Sequence, residues 1–98
     1  MPKLDAAARE AFLREFPDWR EMEGRDAIAR RFKFKDFSAA FAFMTRVAML
    51  AEKLDHHPEW SNVYSTLDVT LSTHDAGGVT AKDIEMAKAM EGFFRAAA

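Results

Sequence analysis

The chain has 98 residues, of which 49% are hydrophobic and 31% are charged, and it contains no cysteine. This length and composition predict one globular domain over residues 1–98. Without cysteine, a disulfide framework and thiolate catalysis are excluded, which favours a reducing cytoplasm. A net charge of −2 gives no general attraction to phosphate backbones, so direct nucleic-acid binding is not expected. No window approaches the ~20 apolar residues of a membrane span, and the first residues lack the apolar core of a signal peptide.

The first third of the chain predicts a helix and then a hairpin. Apolar residues recur at helical spacing over residues 3–16 until Pro17-Asp18 ends the run. Two strands, at 19–22 and 27–34, flank the turn-like Glu23-Gly24. The second strand alternates and is predicted to place on one face Ile28, Phe32 and Phe34.

A second helix follows, capped by Asp36 or Ser38. It is predicted to end near Asp55, because Pro58 disfavours helical geometry at His57. Apolar residues at helical spacing predict that it packs on the core through Phe37, Phe41, Met44, Ala48 and Ala51.

Residues 63–74 alternate between apolar and polar side chains, which predicts strand structure. Twelve residues are long for one strand, so a bend near Ser65-Thr66 is expected to divide it. The apolar face is predicted to hold Val63, Leu67, Val69 and Leu71. After a glycine-containing loop, Thr80 and Asp83 resemble a capping box for a last helix, with a frayed end at 96–98. This order of elements predicts an α+β fold, an antiparallel sheet with helices on one face.

All three histidines lie between positions 56 and 74, and two of them precede a proline. Histidine exchanges protons near neutral pH, so His56, His57 and His74 suit a proton-transfer site. If the second helix continues through His56, Glu52 lies one turn before it and pairs with it, and Asp55 is a second candidate carboxylate. The adjacent histidines converge on one ligand only if the backbone turns between them.

Other interpretations of these residues stay open. The His-His-Pro segment is also typical of a solvated helix end, where cations favour the negative end of the helix dipole. The histidines with a carboxylate also form a candidate zinc set, although adjacent ligands are geometrically awkward and no cysteine is present. Trp60 and Tyr64 suit either stacking on a flat ligand or packing in the core.

The histidine segment also resembles a known family. The sequences at 52–60, 62–64 and 71–74 closely resemble those of the pterin-4a-carbinolamine dehydratases, and the similarity extends to 23–28, 32–37, 43–48 and 78–83. The resemblance implies a four-stranded antiparallel sheet with three helices packed on one face. It also implies that neither a metal nor an organic cofactor takes part.

The resemblance further implies a reaction and a set of roles. Members dehydrate the 4a-hydroxytetrahydropterin left by aromatic amino acid hydroxylases such as phenylalanine hydroxylase, giving quinonoid dihydropterin. The family pattern implies general acids at His56 and His74, pterin binding by His57 and a supporting role for Glu52. Further pterin-binding residues implied by the pattern are Asp55, Pro58, Thr73, Asp75 and Ala76. Family members form dimers and tetramers, which implies a homo-oligomer. Animal relatives also act as dimerisation cofactors of a homeodomain transcription factor, so a protein-binding role is the alternative.

Overall fold

The computed structural model describes residues 1–97. It has three helices and four strands, in the order α1 (Ala6–Glu15), β1 (Arg20–Glu21), β2 (Ile28–Lys33), α2 (Phe37–Leu54), β3 (Glu59–Val63), β4 (Thr66–Leu71) and α3 (Ala81–Ala96). A 3-10 turn, His74–Ala76, lies between β4 and α3. Ala96 is still helical, and Ala98, the last residue of the predicted frayed end, lies outside the described residues.

The four strands form one antiparallel sheet in the order β1-β2-β4-β3. Ile28 lies opposite Leu71 and Phe32 opposite Leu67, so these side chains share one face of the sheet. The same buried cluster includes Phe12 of α1 as well as α2 and α3 residues. The α+β class, with helices packed on one face of a four-stranded antiparallel sheet, is therefore confirmed.

The buried side of α2 differs from the predicted one. The side chains that α2 buries are Ala40, Phe43, Val47 and Ala51. Phe37 is 48% exposed and Phe41 55% exposed, and Ala48 is also exposed, so the prediction was wrong for these three. Because α2 is apolar on more than one side, helical spacing alone does not choose the face that meets the sheet.

The predicted strand segment, residues 63–74, contains the last residue of β3, a turn and the whole of β4, while the rest of β3 lies before it at 59–62. Val63 pairs with Thr66, and Tyr64, with a φ of 51°, lies in the two-residue turn between β3 and β4. Because the chain reverses there, Val63 is 76% exposed while Leu67, Val69 and Leu71 are buried. The predicted division is thus confirmed, whereas the predicted position of Val63 on the apolar face was wrong. In β3, Trp60 packs against the core cluster.

Side-chain caps fix where the helices begin. Asp36 rather than Ser38 caps α2, since its Oδ1 accepts a hydrogen bond from the Ala39 N–H at 2.8 Å. Thr80 and Asp83 form the predicted capping box of α3. Among the described residues, no helix has the length and apolar character needed to cross a membrane.

Candidate active site

The end of α2 determines where the two adjacent histidines point. Asp55 adopts left-handed backbone geometry, with φ 50° and ψ 46°. The His56 N–H donates to the Ala51 carbonyl at 3.0 Å, and the Asp55 N–H donates to the Glu52 carbonyl at 3.3 Å. These two bonds are those of a Schellman motif, which reverses the chain after a helix. As a result His56 is 7% exposed, whereas His57 faces solvent.

His56 is held from inside the fold by Asp83. Its Nε2 lies 2.5 Å from Asp83 Oδ1, and Asp83 is fully buried in α3. The predicted pairing of Glu52 with His56 was therefore wrong, because α2 ends at Leu54 and the left-handed turn carries His56 away from the surface of the helix. The residue that sequence reasoning missed is Asp83.

Glu52 pairs with His57. Its Oε1 lies 2.8 Å from His57 Nε2, and both side chains are largely exposed. A pair this open to water contributes little to folding. It can still restrict the orientation of the His57 ring at the edge of the site.

The third histidine enters from the other side, on the 3-10 turn that follows β4. The Thr73 N–H donates to the Gly78 carbonyl at 2.9 Å, and the Gly77 N–H donates to the Thr73 carbonyl at 3.0 Å. Gly77 has a φ of 72°, a conformation that glycine adopts without steric cost. These contacts close a tight loop that presents His74 to solvent.

The three histidines line one hollow of about 280 Å³. Its walls are formed by Asp55, His56, His57, Ser72, Thr73, His74, Asp75 and Lys82. Six of the predicted site residues are thus brought together. Within the described chain, Glu52, Pro58 and Ala76 are not part of this lining, and Glu52 reaches it only through His57. Ser72 and Lys82 are additional lining residues that the sequence did not indicate.

A second hollow of about 280 Å³ lies on the other side of His74. Arg25 closes one wall, because its guanidinium donates to both carboxylate oxygens of Glu59 at 2.8 and 2.5 Å. This hydrogen bonding holds the pKa of Glu59 below its ordinary value, against partial burial and with help from the charges of Arg25 and His74. His74 therefore sits between two polar hollows and near a carboxylate.

No local sequence pattern distinguishes Asp83 from an ordinary helix cap. A capping-box acid satisfies a backbone N–H at a helix start, and such residues are common at exposed helix ends. Its second contact is with a histidine 27 residues earlier in the chain, so only the packing of α3 against the end of α2 reveals it. In residues 1–97, no group of three or more His, Cys, Asp or Glu side chains is arranged to hold a metal ion.

Comparison with known proteins decides the family. The sequence profile described as pterin 4 alpha carbinolamine dehydratase matches residues 2–93. The chain belongs to the pterin-4a-carbinolamine dehydratase family. It is 63% identical over 89 residues to a relative from Bradyrhizobium sp. strain BTAi1, covering 91% of this chain and 90% of the relative. A relative from Rhodopseudomonas palustris strain BisB18 is 67% identical over 88 residues, covering 90% and 87%. Both carry the name pterin-4-alpha-carbinolamine dehydratase as a provisional assignment.

Two solved structures share the dehydratase fold. A Brucella melitensis protein described as a transcriptional coactivator/pterin dehydratase superposes with a TM-score of 0.89 at 52% identity, covering 93% of this chain and 97% of that one. A pterin dehydratase-like protein described as a RuBisCO assembly factor in the alpha-carboxysome superposes with a TM-score of 0.68 at 20% identity, covering 79% and 89%. At 20% identity, the similarity to the second structure shows only that the two proteins share a fold.

Proposed function

We propose that this protein dehydrates 4a-hydroxytetrahydropterin to quinonoid dihydropterin and water. The observation that carries the proposal is the convergence of His56, His57 and His74 on one hollow in a chain of the dehydratase family. A volume of about 280 Å³ lies close to the lower end of the ~300–1,000 Å³ range of small-molecule pockets. The second hollow beyond His74 provides room for substituents on the ring.

The reaction needs a proton at the oxygen that leaves. The C4a–O bond breaks and the oxygen departs as water after taking a proton from an imidazolium. The N5 lone pair forms the C4a=N5 double bond, and N5 then loses its proton to a base. A positioned general acid is worth about 10²- to 10⁴-fold in rate. This proton transfer requires no metal or organic cofactor.

The proposed roles follow the placement of the rings. His74, exposed on the 3-10 turn, and His56, held from behind by Asp83, are the two general acids at opposite faces of the carbinol carbon. His57 binds and orients the pterin, and Glu52 steadies its ring. Asp55, Thr73 and Asp75, which line the hollow, border the bound ring, whereas the predicted contacts Pro58 and Ala76 lie outside that lining. We further propose that the reaction occurs in the cytoplasm and follows phenylalanine hydroxylase.

The direct test is turnover by the purified protein. Wild-type protein is expected to accelerate the decay of 4a-hydroxytetrahydropterin, and His74→Ala to lower kcat by about 10²-fold or more, because it removes a general acid. His57→Ala is expected to raise KM more than it lowers kcat, because its role is binding. Lys88→Ala, an exposed α3 position, serves as the control. Decay at the buffer rate with folded wild-type protein would reject the dehydratase.

A second candidate function is protein binding, as a dimerisation cofactor of a transcription regulator. It is favoured by the description of the Brucella melitensis relative as a transcriptional coactivator. A folded but inactive His57→Ala/His74→Ala variant separates the two functions. If this variant retains full cellular activity, the binding role is supported. If it loses the cellular function together with pterin turnover, the enzyme is supported.

We also propose that the protein is a homo-oligomer, a dimer or tetramer. Phe37 and Phe41 contact each other outside the core in a tilted arrangement, with ring centroids 5.6 Å apart, and Met49 is 70% exposed farther along α2. The strand β3 forms one edge of the sheet. Exposed apolar helix faces and open sheet edges are surfaces that assemblies cover.

A further inference from the structure

Asp83 is a buried acid whose carboxylate contacts two residues of the proposed site, His56 and Thr73. None of its surface is exposed, and donors approach both of its carboxylate oxygens. Oδ1 faces His56 Nε2, and Oδ2 accepts from the Thr80 N–H and the Thr73 hydroxyl, each at 2.9 Å. A buried carboxylate with this many contacts has one fixed orientation.

The directions of the surrounding hydrogen bonds can be followed from one donor to the next. The Lys82 N–H donates to Thr80 Oγ1 at 3.3 Å. Thr73 gives its hydroxyl proton to Asp83, so the 2.7 Å contact between the two threonine hydroxyls carries the proton of Thr80. The donor and the acceptor of each hydrogen bond on the Oδ2 side are thereby identified. A carboxylate only accepts, so its Oδ1 needs a donor, and the atom that faces it is His56 Nε2.

We propose that Asp83 is a positioning residue that keeps a proton on His56 Nε2, so that His56 exchanges protons with the substrate through Nδ1 alone. This inference rests on the proposed dehydratase function. With Nε2 directed inward and bonded, only the other ring nitrogen is free to serve the hollow that His56 lines. The same carboxylate accepts from the hydroxyl of Thr73, the residue that directly precedes His74. Asp83 thus holds the ring of His56 and anchors the residue before His74.

The first test concerns the ring nitrogens and requires no substrate. In ¹⁵N-labelled wild-type protein, with His56 signals assigned by their loss in His56→Gln, Nε2 is expected to remain protonated throughout a pH titration. Nδ1 is expected to be the nitrogen that gains and loses the proton. A titrating Nε2 beside a permanently protonated Nδ1 overturns the inference, and this reading does not depend on any Asp83 variant folding.

The second test measures catalysis in Asp83→Asn. The amide keeps an acceptor for the Thr80 N–H but can present a donor to His56, which favours the tautomer with a bare Nε2. We expect kcat to fall about 10²-fold or more while KM changes by less than about 3-fold, because the general acid is misoriented and the substrate contacts remain. Glu85→Gln, an exposed acid-to-amide change on the same helix, is expected to retain wild-type kcat.

The outcomes separate this inference from the proposed function. Folded Asp83→Asn with wild-type kcat overturns the positioning role in an otherwise confirmed dehydratase. If the carbinolamine decays only at the buffer rate in the presence of wild-type protein, the dehydratase function itself is rejected, whatever the tautomer of His56. If Asp83→Asn shows the expected loss in kcat but the tautomer of His56 is unchanged, the inference is also overturned, because the loss would then not act through the His56 ring.

Discussion

Asp55 carries both a backbone task and a candidate contact with substrate. Its left-handed conformation ends α2 and turns His56 inward and His57 outward. Asp tolerates this region better than most residues, because its short polar side chain can form local hydrogen bonds. Its carboxylate also borders the hollow lined by the histidines.

Two substitutions of Asp55 separate these tasks. Asp55→Ala is expected to lower the free energy of unfolding by about 1–2 kcal/mol relative to Asp55→Gly, because alanine in the left-handed region carries a steric cost that glycine lacks. Urea unfolding of both variants measures the difference. If Asp55→Gly is stable but turns over poorly, the carboxylate serves the site. Equal stability of the two variants would contradict the assigned backbone role.

Local sequence was sufficient to identify the histidines but not their partners. Three histidines between positions 56 and 74, two of them directly before Pro58, predicted a proton-transfer site. The pairing of Glu52 with His56 was inferred from helical spacing, and it failed because the helix ends one residue before the left-handed Asp55. Asp83 was recognised only as a cap, since a contact across 27 residues leaves no trace in local spacing.

Asp26 joins elements that lie far apart in the sequence. It follows the turn between β1 and β2, and its Oδ1 lies 2.8 Å from Arg9 Nη2 of α1 and accepts from the Val79 N–H before α3 at 3.2 Å. Partial burial raises the pKa of Asp26, but the Val79 N–H, the Arg9 guanidinium and the charge of Lys3 together hold it below its ordinary value. A Cβ at Gly78 would lie 2.5 Å from Asp26 Oδ2, so glycine is needed beside this acid.

The lowered pKa of Asp26 predicts an acid-dependent loss of stability. The unfolded chain binds a proton at Asp26 more readily than the folded chain, so this contribution is present above about pH 4 and is lost as pH falls through the lower folded pKa. Asp26→Asn is therefore expected to be less stable than wild type at pH 7 and to approach it toward pH 2. Denaturant unfolding at several pH values tests this, with Glu85→Gln as the control. A stability difference that does not shrink with acid would contradict the assignment.

At the scale of whole elements, the sequence predicted the number and order of the helices correctly but not every face. The capping residues and the division of the 63–74 segment followed from local chemistry. The outward position of Phe37 and Phe41 did not, because α2 is apolar on two sides and helical spacing alone does not choose the side that packs on the core. Val63 was misplaced for a related reason, since alternation continues through a turn that reverses the face.

Across the whole molecule, the apolar surface lies apart from the histidine hollow. The exposed aromatic pair belongs to the first half of α2, whereas the histidines follow the other end of that helix. The residues that line the hollow do not include Phe37 or Phe41. Assembly through the aromatic pair would therefore use side chains other than those of the hollow, and the two proposals can be tested with separate variants.

The oligomeric state is the prediction for the molecule as a whole. We expect wild-type protein to sediment as a dimer or tetramer of the 11.1 kDa chain. Phe37→Glu/Phe41→Glu is expected to shift it toward the monomer, because a charge cannot be buried unpaired in an apolar contact. Lys88→Glu, an exposed change on α3, controls for added charge. Sedimentation velocity decides between the outcomes. A monomeric wild type contradicts the homo-oligomer, and an oligomer unaffected by the double change assigns its contact to another surface, with the open edge of β3 as the next candidate.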